Sequence, residues 1–285
     1  MNAANLQDDG GKARRSFDFE KYLRAAGGTR PEAFDWSDPG PRLDEDALFC
    51  LGYMMDIESH TIIYLREMLC TTVVEDASIT AFLSCWAYEE FFHSQVLRRL
   101  LESQGVAIDD RRASALRRAR PDDYLTQKFA RLLSRVTRHF SAVHMTWGAI
   151  NELSTLTGYQ ALIDRTRHPL LTIVLARIIK DERRHFSFYF NQARLRLQPR
   201  AARTLTSLAV RNFWKPVGSP VRGDGDARRI CGYLFGDERG SHRLAEHDST
   251  IARLPGLGWF DMASRYCRGT PAAETSSSSL QIFQS

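Results

Sequence analysis

The sequence predicts an all-α protein built on a four-helix bundle, and three observations carry that prediction. Long stretches of the chain repeat apolar residues at the three-four spacing of a buried helix face. Two of these stretches carry a Glu-x-x-His, at Glu90–His93 and Glu182–His185. Each is preceded by a lone Glu, Glu58 standing 32 residues and Glu152 standing 30 residues upstream. One Glu-x-x-His arises by chance on any long helix. Two in matching halves, each with its upstream Glu and all set in apolar sequence, are how a helical bundle presents ligands to two metal ions.

Composition agrees with a single large core. Of 285 residues, 43% are hydrophobic, enough for one helical domain with appendages. The opening MNAANLQDDGGKARRSFDFE has no apolar signal core, and no uninterrupted apolar run is long enough to span a bilayer. A soluble, cytoplasmic protein without a membrane partner is expected. Cys50, Cys70, Cys85, Cys231 and Cys267 follow no disulfide or zinc spacing and are expected as reduced thiols, mostly buried. The net charge of +5 is patchy, with arginines at 111, 112, 117, 118 and 120 and at 194, 196, 200, 203 and 211. They read either as solvated helix faces or as a landing surface for an acidic partner. No nucleic-acid motif and no interleaved exposed aromatics accompany them, so nucleic acid is not expected as a partner.

Taken in order, residues 1–42 form a polar lead-in that ends in Pro31, Pro39 and Pro41. The bundle is expected over 43–198. Its first helix runs from about Leu43 or Asp44 to Leu69, with Leu51, Met54, Met55, Glu58, Ile62 and Leu65 inward. The second spans roughly 77–103, with Ile79, Leu83, Trp86, Glu90, His93 and Leu97 inward and Gly105 past its end. An Arg-rich connector leads to a helical pattern of more than forty residues. It divides into a crossover helix near 122–138 and a ligand helix near 140–163, although one bent helix gives the same pattern. Met145, Gly148, Ala149, Glu152, Thr155 and Tyr159 line the latter, and Gly148 and Ala149 hint at space near the metals. Pro169 opens the last core helix, which runs to about Leu197 with Leu171, Leu175, Ile178, Glu182, His185 and Tyr189 inward. A helical appendage over 199–269 and a disordered tail over 270–285, with Ser276 to Ser279 in a run, complete the chain.

Glu and His three apart share one helix face, so a single turn offers a carboxylate and an imidazole. Glu58, Glu90, Glu152 and Glu182 supply four negative charges against two divalent ions, with His93 and His185 as nitrogen donors. The same acids packed in an apolar bundle without a cation would repel, and would have to protonate or distort the fold. A thiolate-free set suits iron or manganese over copper(I) or structural zinc. Glu89 and Asp181 each stand four residues before a ligand histidine, placed to hold an imidazole N–H; a salt bridge, with Arg184 available to either, is the alternative. Trp86 is expected in the core beside the metals. His60 and His144 lie near the site without an assigned role.

The stretch Trp86-Ala87-Tyr88-Glu89-Glu90-Phe91-Phe92-His93 resembles the first Glu-x-x-His motif of the soluble acyl-carrier-protein desaturases, in the ferritin-like di-iron superfamily. Asp181-Glu182-Arg183-Arg184-His185 is similar to their second motif, and Glu58, Tyr64 and Arg66-Glu67 to their first ligand helix. Thr155 falls where these enzymes keep a threonine beside the oxygen-binding face. The resemblance spans about 43–195. It implies two iron ions, with manganese possible in either position, and a ferritin-like bundle with a crossover. It further implies dioxygen as oxidant, a ferredoxin-type electron donor, a fatty acyl chain held as a carrier-protein thioester, and a homodimer. Arginines 194 to 211 would then be candidates for docking the acidic carrier. Phe91, Phe92 and Ser94 depart from the family pattern and point to an altered substrate channel. A di-iron hydroxylase of another apolar or biosynthetic molecule is therefore an alternative, and a ferritin- or rubrerythrin-like metal-binding protein a further one. Ile178 stands where related arylamine N-oxygenases carry an additional histidine, which argues against that activity.

Overall fold

Three of the four bundle helices begin where a side chain or a proline deals with their first free N–H groups. A computed structural model of the chain describes residues 24, 29–109, 111–112 and 134–268. In it Asp44 accepts from Ala47 N ahead of α1 (Glu45–Met68), and Asp76 accepts from Ser78 N and Ile79 N ahead of α2 (Ala77–Ser103). Helix α3 (Phe140–Thr166) closes on Arg167, whose left-handed backbone (φ 47°) turns the chain sharply. His168 then caps α4 (Pro169–Arg196), its Nδ1 accepting from Leu171 N at 3.1 Å while Nε2 donates to Pro41 O at 2.7 Å. The remaining helices are α5 (Arg200–Phe213), the single turn α6 (Ser219–Arg222), α7 (Asp224–Phe235), α8 (Glu238–Ala252) and α9 (Met262–Arg268). No β-strand occurs among the described residues, which are all-α, as the periodicity predicts.

Two apolar clusters fill the bundle, one at each end. The first contains Phe82 and Leu83 of α2, Met145 and Ile150 of α3, and Phe188 and Tyr189 of α4. The second contains Leu51 and Met54 of α1, Leu97 and Leu100 of α2, Tyr159 and Leu162 of α3, and Leu171 and Ile178 of α4. The acid and histidine residues lie between the two clusters on all four helices. This division also fixes direction. Helix α2 runs from the first cluster to the second, and α3 starts again at the first. The chain therefore leaves α2 at the second cluster and re-enters α3 at the first, two points separated by the length of the bundle, about 40 Å for helices of 27 residues. That is the crossover of a ferritin-like bundle. The crossover helix expected near 122–138 lies mostly outside the described residues; those at 137–139 are non-helical, so α3 starts as a separate helix. The expected tail at 270–285 also lies outside them.

Four expectations change. Ile62, expected inward on α1, is 52% exposed. Cys231 of α7 and Cys267 of α9 form a disulfide, with Cα atoms 5.4 Å apart, where reduced thiols were expected. The two are 36 residues apart in sequence, and only the docking of α9 on α7 brings them within bonding reach. Cys50 and Cys85 are buried thiols and Cys70 is an exposed one. The space expected at Gly148 is filled by Tyr189: a Cβ there would lie 2.3 Å from the ring. Glycine is needed for this close approach of α3 to α4. Finally, not every clustered arginine faces solvent. Arg112 gives two 2.8 Å bonds to the buried Asp56, which Arg222 of α6 also contacts, and Arg196 pairs with Asp76.

Candidate metal centre

One turn from each of the four long helices meets in the layer between the apolar clusters. Glu58 comes from α1, Glu90 and His93 from α2, Glu152 from α3, and Glu182 and His185 from α4. All six are buried, His93 and His185 fully. Their donor atoms form two groups, Glu58–Glu90–His93–Glu182 and Glu90–Glu152–Glu182–His185, with the atoms of each group within 4.8 Å of one another. Glu90 and Glu182 belong to both. The structure thus brings together all six residues expected as ligands, in two overlapping groups that can each hold an ion, with two carboxylates placed to be shared.

The donor atoms crowd without satisfying one another. His93 Nδ1 lies 3.1 Å from Glu182 Oε1 and 3.6 Å from Glu90 Oε2. Even so, His93 Nδ1, Glu90 Oε1 and Glu182 Oε1 are buried with no hydrogen bond of acceptable geometry. Buried polar atoms are normally paired, since leaving one unsatisfied costs about 1–3 kcal/mol, so such a set aimed at common points fits cations. Protonation shows the same tension. Burial, reinforced by Glu90 and by Glu182, pushes the Glu58 carboxyl well above the usual range. Burial and then Glu182 do the same to Glu152. For Glu90 the penalty of burial is outweighed by the Glu58 carboxyl and the His185 and His93 imidazoles beside it, which hold it well below that range. Burial disfavours charge on His93 as well, but Asp181, Glu182 and Glu90 together raise it. Four acids in one dry layer cannot all ionise without a positive charge among them.

Behind the histidines the two halves of the sequence cross. His185 Nε2 bonds Glu89 of α2 at 2.8 Å, and His93 Nε2 bonds Asp181 of α4 at 3.2 Å. Each acid therefore holds the imidazole of the opposite helix. Arg184 joins them, with Nη2 at 2.6 Å from both Glu89 and Asp181. The burial of Asp181 opposes its charge, yet bonds from His93 and Thr29, with Arg184 beside it, lower it to about 2. Trp86 Nε1 donates to Glu152 Oε1 at 3.0 Å, so the core tryptophan also orients a carboxylate. Thr155 bonds none of the six; it is half-buried and lines a cavity beside Glu58.

Residue-level reading of the sequence did not anticipate three contacts. Tyr159 donates to Glu58 Oε1, and its position two turns after Glu152 on the same stripe was the available signal. Thr29, which donates to Asp181, lies in the lead-in, where no periodicity marks it. His144, buried to a pKa of about 3 and so neutral, shares a 2.8 Å hydrogen bond through Nδ1 with Tyr64 OH. The cavity has a volume of about 100 Å³ and lies between α1, α3 and the C-terminal helices. Met54, Gly158, Ile230 and Leu234 make its lining mostly apolar.

No protein-family model matches the chain, and neither does any curated protein or solved structure. Among the described residues, no helix is long and apolar enough to cross a membrane. Fold and site together are consistent with a ferritin-like di-metal centre of the oxidoreductase type.

Proposed function

We propose that the chain is a dioxygen-dependent di-iron oxidoreductase acting on an apolar substrate. Glu58, Glu90, His93, Glu152, Glu182 and His185 would hold the two ions, with manganese an alternative occupant. One observation carries this reading: two buried four-residue donor groups share Glu90 and Glu182. Bound there, a pair of redox-active ions supplies reductive activation of dioxygen. The chain's own residues set the conditions for it. Glu89 and Asp181 accept hydrogen bonds from Nε2–H of His185 and His93, leaving the lone pair of each Nδ1 directed at the cluster. Tyr159 and Trp86 orient Glu58 and Glu152. The apolar clusters above and below exclude water, which strengthens every charge interaction within the layer.

The finer reading is desaturation of an acyl chain carried as a thioester on a carrier protein, with electrons from a ferredoxin-type donor. It rests on the motif resemblance and on the apolar cavity that reaches Glu58 and Thr155. Thr155 then borders the substrate and Trp86 the metal centre. Hydroxylation of a more compact apolar molecule is a second reading, favoured by the cavity's volume of about 100 Å³. Incubation of iron-loaded protein with reduced ferredoxin, dioxygen and a panel of acyl-carrier proteins and free acids separates them. Loss of two hydrogens marks desaturation and gain of one oxygen marks hydroxylation. Full turnover by metal-free protein would remove both.

A further inference from the structure

The cavity over Glu58 poses a problem of size. An engineered cavity of about 150 Å³ holds one benzene ring. At about 100 Å³ this one takes a few carbon atoms and has no room for an elongated chain. An elongated substrate held wholly within it therefore requires one wall to move. The inner wall, with Met54, Glu58, Thr155 and Gly158, belongs to α1 and α3, which are fixed in the bundle core. The outer wall includes Ile230, Cys231 and Leu234 of α7 and Ala263, Tyr266 and Cys267 of α9.

Helix α9 is the less secure part. It has seven residues, too few for a helix to persist without tertiary support. Asp248 accepts from Ala263 N and Ser264 N at 3.3 and 2.9 Å, and Tyr266 OH bonds Asp224 Oδ1 at 2.6 Å. Arg228 of α7 lies over the Tyr266 ring at 4.7 Å, and Cys231–Cys267, the one disulfide among the described residues, adds a covalent tie; both its cysteines line the cavity. Cys267 is half-buried, leaving part of its surface open to an attacking thiolate.

We propose that Cys231–Cys267 is a thiol-operated latch on this cavity. Oxidised, it clamps α9 against α7 and admits only a compact apolar group; reduced, it lets α9 move and the cavity accept an elongated apolar chain. This deepens the proposed function, since it rests on the cavity serving the metal centre. The reductant is a dithiol. Its thiolate attacks Cys267 Sγ, and Cys231 leaves as a thiolate and takes up a proton. The second thiol then displaces Cys267, so two electrons and two protons pass to the protein and the dithiol becomes a cyclic disulfide.

The test measures 1-decanol binding to the full-length, metal-loaded protein by calorimetry. It compares aerobic protein, protein treated with dithiothreitol and desalted, and the double variant Cys231→Ser/Cys267→Ser. Alkylation and mass spectrometry should count three free thiols before reduction and five after it. Decanol should bind the reduced protein and the double variant at least about tenfold more tightly than the oxidised protein. Gly158→Leu should abolish this binding in either redox state. A Cβ at Gly158 meets only ordinary contacts, 3.5 Å to Met54 and 3.9 Å to Leu234, so the larger side chain fills the cavity without forcing the helices apart. Equal decanol affinity in both redox states, or five reactive thiols in aerobic protein, overturns the latch. If reduction tightens decanol binding but the protein holds no metal, the latch stands and the di-iron reading falls.

Discussion

The two halves of the site have matching sequence patterns and unlike surroundings. Glu152 and His185 are boxed in by aromatic rings. Trp86 bonds Glu152, Phe82 meets the His185 ring edge-on at 6.3 Å, and Tyr189 packs on Trp86 and His144 at 5.9 Å. Glu58 instead takes its hydrogen bond from Tyr159 and borders the apolar cavity. A repeated ligand pattern thus lies between a sealed side and a side with room. The difference places substrate approach, in the proposed function, on the Glu58 side.

The largest effect should come from the residues that ignore this division. Because Glu90 lies in both donor groups, Glu90→Ala should lose both ions, whereas Glu58→Ala or Glu152→Ala should retain one. Metal analysis per chain reads this directly, and equal loss from all three variants would erase the distinction between shared and unshared acids. Next comes the brace behind the open side. Asp56, two residues before Glu58, is buried between Arg112 and Arg222, and Asp56→Ala removes the carboxylate they share, leaving Arg222 its 2.8 Å bond to Asp226. Breaking such a pair destabilises by about 3–5 kcal/mol, a loss measurable in the urea midpoint. On the sealed side, Trp86→Phe removes the donor to Glu152 with little change of packing. Partners of this kind are worth roughly 10–100-fold in metal affinity or activity, so metal titration should show the loss on that side alone.

The smallest effect is in pH. Burial depresses His144 from 6.5 to about 3. The unfolded chain therefore binds a proton there that the folded one refuses, and stability is lost as pH falls from 6.5 towards 3. At about pH 5.5 this term amounts to about 1 kcal/mol. His144→Gln should flatten the decline between pH 7.5 and 5.5 in urea unfolding. An unchanged slope would assign the acid sensitivity to other groups.

The helical architecture was legible because periodicity and capping are local. Asp44, Asp76 and Pro169 mark helix starts to within a residue or two, and the apolar stripes of α1 to α4 name most of the core. The gathering of the six acids and histidines was legible for a related reason. Buried ionisable residues at helical spacing have few acceptable arrangements except facing one another. Contacts between distant segments were not legible. Nothing in the lead-in marks Thr29 as a partner of Asp181, and no spacing rule joins Cys231 to Cys267. Gly148 read as free space and proved to be the seat of Tyr189.

By itself the sequence determined that four helices would present carboxylates and imidazoles from their inner faces, because side-chain direction on a helix repeats with residue number. Only the tertiary structure decided that Glu89 holds the opposite helix's His185 and Asp181 holds His93, that one side is sealed by rings, and that α9 closes the other. These depend on how whole helices cross and dock. That geometry is set by packing between segments far apart in the chain, and no local rule encodes it.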